Sequence, residues 1–310
     1  PPNNSIKILS YNICWETTKP YRTGDYKSPM RHTDIVQQCQ KNVQQCRNNV
    51  ADVIKSLLPL DFIALQEIPF RVPPPNATTF NKNKLINIRN NWDHILGLSN
   101  YHIINHTESV ATMKVYVNKN NYTYITQCGG GLPGTGRPFV IVLVRSKLTN
   151  ENIAFINVHA GHGSDNLSTN IIRKMEQQCK KQLMDNYTID RYIMAGDFNR
   201  DVTNNKKDPR SITFNNTKLW NNIRPRPKTC CITKKTSTHR RPSDHILDSN
   251  NSFIRYDSND GRYPSSDHAW ICAELDRTSQ KQPPIAPAPI APIALPRYKY
   301  KKNYLLRISM

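Results

Sequence analysis

Apolar residues in this chain come in runs the length of a β-strand. Residues 6–12, 62–66, 139–144, 153–158, 192–195, 245–247 and 269–275 are such runs. Most are rich in β-branched and aromatic side chains. They are continuous rather than alternating, the pattern of strands covered on both faces. None approaches the ~18 apolar residues of a membrane-crossing helix. Residues 111–117 and 122–127 alternate and read as further strands. Two longer stretches, 33–58 and 167–184, read as helices; the first carries Val43, Val50, Val53, Ile54 and Leu57 at near-helical spacing. Residues 129–136 are glycine-rich and read as a turn-rich loop, and 71–91, with Pro73-Pro74-Pro75, as loop or edge structure. Strands outnumber helices, and each long helix lies between strands. The expected fold class is α+β, a layered sandwich with helices outside the sheets.

The end of the chain has a different composition. Residues 282–296 read QPPIAPAPIAPIALP, and 297–310 read RYKYKKNYLLRISM. The expected organisation is a folded domain over 1–277, an extended Pro/Ala-rich linker over 278–296, and a basic aromatic tail over 297–310. The tail suits a partner chain or a polyanion. The chain opens Pro1-Pro2-Asn3, which reads as a mature product or a fragment.

Charge narrows the partners. Lys+Arg is 43 against Asp+Glu 23, a formal +20, which suits nucleic acid, an anionic membrane surface or a phosphorylated small molecule. The eight cysteines contain no Cys-x-x-Cys pair, so a zinc site is poorly supported, and their even number permits disulfides without requiring them. Asn-x-Ser/Thr sequons occur at Asn3, Asn76, Asn105, Asn121, Asn166, Asn186, Asn215 and Asn250. They lean towards a secretory route.

The chemistry lies where the apolar runs stop. Residues 6–10 lead into Asn12, 62–66 into Glu67, 155–158 into His159, and 192–196 into Asp197 and Asn199. Asp244 follows Ser243, and Asp267-His268 follow a pair of serines. A strand end holds a side chain rigidly at the rim of a sheet, where ligand sites of layered folds form. The set is rich in hard oxygen donors and has no thiolate, which fits Mg²⁺, Ca²⁺ or Mn²⁺ better than zinc.

Seven segments occur in one order: YN at Asn12, LQE at Glu67, GGGLPGTGRPF around Arg137, NVHA at His159, GDFNRD at Asp197 and Asn199, PSDH at Asp244, and SSDH at Asp267-His268. In that order they resemble the endonuclease/exonuclease/phosphatase superfamily. Within it they are most similar to the catalytic B subunits of cytolethal distending toxins. The resemblance covers residues 6–275. It implies a four-layered α/β/β/α sandwich of the deoxyribonuclease I type and a Mg²⁺-dependent phosphodiesterase, with Ca²⁺ or Mn²⁺ as substitutes. It also implies roles. Glu67 is the direct metal ligand, with Asn12 and Asp267. Asp197 and Asn199 orient the attacking water and a phosphoryl oxygen. His159 and His268 form a general acid–base pair, with Asp244 fixing the tautomer of one imidazole, His268. Arg137 binds phosphate. The usual carboxylate partner of the first histidine is not obvious; Glu108 is a candidate. His162, Asp165 and His245 read as loop or structural residues, and Ser243 and Ser266 as possible hydrogen-bonding neighbours.

DNA is the expected substrate, and the expected activity is that of a monomeric endonuclease. Phosphate contacts would come from Lys206-Lys207, residues 224–228, Lys234-Lys235 and residues 239–241. A phosphoinositide or inositol-phosphate phosphatase uses the same site chemistry and is the alternative; a non-catalytic nucleic-acid-binding relative is the remoter one. The toxin resemblance and the sequons lean towards an exported effector acting on the nuclear DNA of a target cell, and a viral origin also fits the composition.

Overall fold

The computed structural model describes residues 4–14, 39, 41–68, 92–107, 112–132, 136–161, 168–199, 211–221, 229, 243–258, 266 and 268–277. Thirteen strands of the described residues form two mixed sheets. The six-stranded sheet runs β12-β13-β1-β2-β4-β3 and the seven-stranded one β5-β6-β7-β8-β11-β10-β9. In chain order the strands are β1 (Ser5–Asn12), β2 (Phe62–Ile68), β3 (Tyr101–Thr107), β4 (Thr112–Asn118), β5 (Tyr122–Gly131), β6 (Pro138–Ser146), β7 (Asn152–His159), β8 (Arg191–Asp197), β9 (Ser211–Phe214), β10 (Thr217–Trp220), β11 (Asp244–Asp248), β12 (Phe253–Ser258) and β13 (Ile271–Asp276).

Strand alternation explains the layering. In β1, Ile6 and Ile8 point into the gap between the sheets while Leu9 and Tyr11 face outward. In β7, Ile153 and Phe155 fill the gap while Ala154, Ile156 and Val158 face outward. Phe62 of β2 stacks on Phe155 across the gap, centroids 4.6 Å apart. Helix α1 (Val43–Ser56) covers the outer face of the six-stranded sheet with Val50, Ala51 and Ile54. Helix α2 (Thr169–Cys179) covers the other outer face with Ile171, Ile172 and Met175. The side chains of Asn42 and Ser168 cap their first turns by accepting from Gln45 N and Ile171 N. The result is the expected four-layered α/β/β/α sandwich.

Several boundaries differ from the sequence reading. Helix α1 starts only after Asn42, and residues 33–38 lie outside the described set. Helix α2 passes into a π-helical turn, Lys180–Met184. Gly129 to Gly131 are not loop but the end of β5, paired with β6 down to Gly131 opposite Pro138. Their glycines have a packing reason: a Cβ on Gly129 would sit 2.7 Å from His106 Nδ1, and one on Gly130 2.5 Å from Gln178 Oε1. Strands β3, β9, β10 and β12 were not legible at all. Two disulfides form among the described residues, Cys39–Cys46 and Cys128–Cys179, the second tying β5 to the end of α2.

The chain divides into two units, Pro1–Ser279 and Gln280–Met310. The second unit, with the linker and tail read from the sequence, lies outside the described residues.

Candidate active site

Register brings the polar strand ends together. β7 and β8 are parallel and pair His159 with Asp197; β11 runs antiparallel to β8 and pairs Asp244 with Asp197. In the other sheet β1 and β2 are parallel, ending with Asn12 opposite Gln66. His159, Asp197, Asp244 and Asn12 are each in phase with the residues that fill the inter-sheet gap. The site is therefore the open rim of that gap.

Asp197 is its centre. Its Oδ2 accepts from Asn12 Nδ2 at 3.0 Å and from Asn199 Nδ2 at 3.2 Å. Its Oδ1 accepts from Asn199 N at 2.8 Å, an Asx turn that puts Asn199 at φ 51°. Asn199 Nδ2 also donates to Ala160 O at 2.7 Å. The same Oδ2 lies 3.7 Å from His159 Nε2 and 3.8 Å from His268 Nε2. Burial pushes the Asp197 carboxyl up to about 6; His268 opposes the shift, Asp244 adds to it, and the Asn199 N–H and Arg137 oppose it. Gly196 makes the approach possible. Its φ is 144°, and a Cβ there would lie 2.0 Å from Val158 O.

His268 is held from behind, its Nδ1 lying 2.9 Å from Asp244 Oδ2. Its backbone N–H donates to Ser266 Oγ at 3.1 Å, and that hydroxyl donates to Asn12 O at 2.8 Å. Thr229 fixes Asp244 by accepting from Ser243 N and Asp244 N with its hydroxyl, and its carbonyl accepts from Ala269 N at 2.7 Å. No motif pointed to Thr229, and it lies in a stretch without apolar periodicity.

Glu67 Oε1 lies 3.4 Å from His159 Nε2. Arg137 contacts the same imidazole nitrogen and donates from Nη1 to Ala160 O at 3.0 Å. Eight of the nine sequence-selected site residues thus converge. The ninth, Asp267, lies outside the described residues, as do Glu108, His162, Asp165 and the proposed phosphate-contacting segments. His245 is buried against the Phe198 ring, with Nδ1 3.2 Å from Asn221 Nδ2, which fits a structural role.

The donor set suits a hard divalent cation. Asp197, Asp244 and His268 bring ligand-type atoms within 4.8 Å of one another. His268 Nδ1 is already hydrogen-bonded to Asp244, however, and its Nε2 faces Asp197 at 3.8 Å, so this trio has the form of an Asp–His pair pointing at a second carboxylate. Glu67, 3.4 Å from His159 Nε2, brings a carboxylate, an oxygen donor of the kind Mg²⁺, Mn²⁺ and Ca²⁺ take; Asn12 turns its Nδ2 to Asp197 while its Oδ1 accepts from Cys14 N at 3.1 Å.

No protein-family model matches the chain. An uncharacterized protein of Acanthamoeba polyphaga mimivirus is 27% identical over 202 residues, covering 63% of this chain and 35% of that protein. The chain thus spans about a third of the length of the curated relative it matches. Among solved structures, an endonuclease/exonuclease/phosphatase from Bacteroides vulgatus aligns with TM-score 0.57 at 15% identity, over 88% of this chain and 99% of that one. Humanized D. rerio TDP2 aligns with TM-score 0.55 at 13% identity over the same shares. The chain has the endonuclease/exonuclease/phosphatase fold. Two further structures of that fold differ in what they handle. D. rerio TDP2 complexed with a single-strand DNA product aligns with TM-score 0.51, at 14% identity over 88% of this chain and 99% of that one. A mannosyl-6-phosphatase from Bacteroides thetaiotaomicron aligns with TM-score 0.52, at 16% identity over 87% and 99%.

Proposed function

We propose that the chain is a divalent-metal-dependent phosphodiesterase that nicks DNA. The observation that carries this is the pair of imidazoles around one carboxylate. His159 Nε2, at the end of β7, and His268 Nε2, just before β13, approach the same Asp197 oxygen. Acid and base on either side of one point is what in-line displacement at phosphorus requires.

Asp244 accepts the Nδ1 proton of His268, which leaves Nε2 of that ring to take or give a proton at the reacting phosphate. His159 serves the opposite side. Asp197 and Asn199 orient the water and a phosphoryl oxygen, and Arg137 offers its guanidinium to the phosphate. Glu67 and Asn12, with Asp267, would hold Mg²⁺, which when bound neutralises charge building on the phosphoryl oxygens. DNA is favoured over a small phosphate ester by the +20 charge, by the toxin-like motifs, and by the TDP2 neighbour solved with a DNA product.

The test is nicking of supercoiled plasmid. With Mg²⁺ or Mn²⁺ the chain converts it to open circles; EDTA stops this, and His159→Ala slows it by at least about 10²-fold. An intact plasmid after incubation with folded chain and either metal overturns the DNA reading, and phosphate release from phosphoinositides then decides for the alternative.

A further inference from the structure

Glu67 ought to point away from the site. Alternation along β2 sends Phe62 and Ala64 into the gap and Ile63 and Leu65 outward, and Glu67 falls in the outward set. The β2–β4 ladder corrects this. Leu65 pairs with Lys114 but Ile68 pairs with Thr112, so three steps on β2 match two on β4. This is a bulge, a device that re-aims a side chain. Glu67 sits in it with φ 57°, a conformation that costs a glutamate about 1–3 kcal/mol and persists only when its surroundings enforce it.

The enforcing group comes from the other sheet. Asn157 of β7 reaches across the gap and donates from Nδ2 to Leu65 O at 3.1 Å and to Lys114 O at 3.2 Å. Those carbonyls belong to the pair at which the ladder breaks. Asn157 Oδ1 accepts from Gln66 Nε2 at 2.8 Å, and that amide also donates to Ser10 Oγ at 3.3 Å. Asn157 and Gln66 are both fully buried. Carbonyls only accept, so the orientation of the Asn157 amide is fixed by its partners. A polar residue in so apolar a strand has a high cost unless fully bonded.

We infer that Asn157 is a positioning residue that acts through Glu67: its carboxamide holds the β2 bulge, and the bulge holds the carboxylate at the site. The consequence for metal binding rests on Glu67 being a metal ligand; the positioning itself does not. Two variants test it, Asn157→Asp, which keeps the shape and loses the donor, and Asn157→Ser, which keeps a smaller polar group. The control is Asn118→Ala, which removes another buried amide from the opposite end of β4.

The backbone ¹³C shifts of residues 66–68 report the bulge in each full-length protein, and Mn²⁺ titration by electron paramagnetic resonance reports the site without any turnover. The expected result is that both Asn157 variants shift residues 66–68 towards extended backbone and weaken Mn²⁺ binding by about 10–100-fold, whereas Asn118→Ala lowers the melting temperature alone. Unchanged shifts at 66–68 in a folded Asn157 variant overturn the inference. So does an Mn²⁺ affinity that Glu67→Gln weakens and both Asn157 variants leave intact. If Glu67→Gln itself leaves the affinity unchanged, the ligand reading of Glu67 fails, and the shifts alone decide the positioning role. Should one Asn157 variant fail to fold, the other carries the measurement.

Discussion

Asp244 Oδ2 lies 2.9 Å from Nδ1 of His268, and the opposite nitrogen of that ring faces Asp197. A carboxylate can only accept at this position, so it selects the tautomer with the proton on Nδ1. Asp244→Asn puts an amide there that can donate instead and stabilises the other tautomer. The expected loss of nicking rate is about 10²–10⁴-fold, with the chain still folded. Single-turnover kinetics beside circular dichroism checks it; a rate within threefold of the native chain means His268 is not a proton-transfer group.

Gly196→Ala tests how the backbone presents Asp197. The added carbon would meet Val158 O at 2.0 Å with φ at 144°, and neither chain can yield without breaking the β7–β8 pairing that ends at His159 and Asp197. The expected cost is at least about 3 kcal/mol. Urea denaturation measures it, and a variant within about 1 kcal/mol of the native chain would contradict the packing described.

The two disulfides differ in the loop they close. Cys128–Cys179 spans 51 residues and Cys39–Cys46 spans 7. Loop-closure entropy then gives about 4 kcal/mol for the first and about 2 kcal/mol for the second. Replacing each pair by serines and comparing denaturation midpoints tests that order. Equal losses would mean the longer loop is already constrained in the unfolded chain.

Cys272 should be a poor nucleophile. Burial, reinforced by Asp257, pushes its thiol up to about 12 from an ordinary 9. At pH 8 it then holds about a thousandth of the thiolate of an ordinary cysteine. Alkylation by iodoacetamide, read by peptide mass, should leave Cys272 unmodified at pH 8 and rise only above about pH 11. Rapid labelling of native chain at pH 8 would show the thiol to be open to solvent.

The legible parts of the fold were those with two covered faces. β1, β2, β6, β7 and β8 are apolar on both sides because each lies between a sheet and a helix layer or a loop, and such runs stand out. β12, with the residues FIRYDS, is an edge strand with exposed Ile254 and Arg255, and it carries no comparable signal. The β9–β10 hairpin turns on Asn215 and Asn216, both at positive φ, and its strands SITF and TKLW are only four residues each, too short for their alternation to stand out. Asn12, Glu67, His159 and Asp197 were legible because each stops an apolar run, and Arg137, Asp244 and His268 because their motifs fall in order with those. What escaped was how Glu67 reaches them, since a bulge inverts the face that alternation assigns. Asn157 had its own signal, a lone amide inside residues 153–158, but its partners are far away in sequence and only the packed sheets reveal them.

One feature of the sheet order bears on when the protein can first work. β1 is paired on one side by β2 and on the other by β13, the last strand among the described residues. Asn12 is likewise tied to His268 through Ser266. Strand β1 therefore waits for β13, about 260 residues later in the chain, before the polar cluster is whole. A chain cut short before β13 would carry Glu67, His159 and Asp197 yet have no assembled centre, so the cluster forms only once both of β1's neighbours have been made.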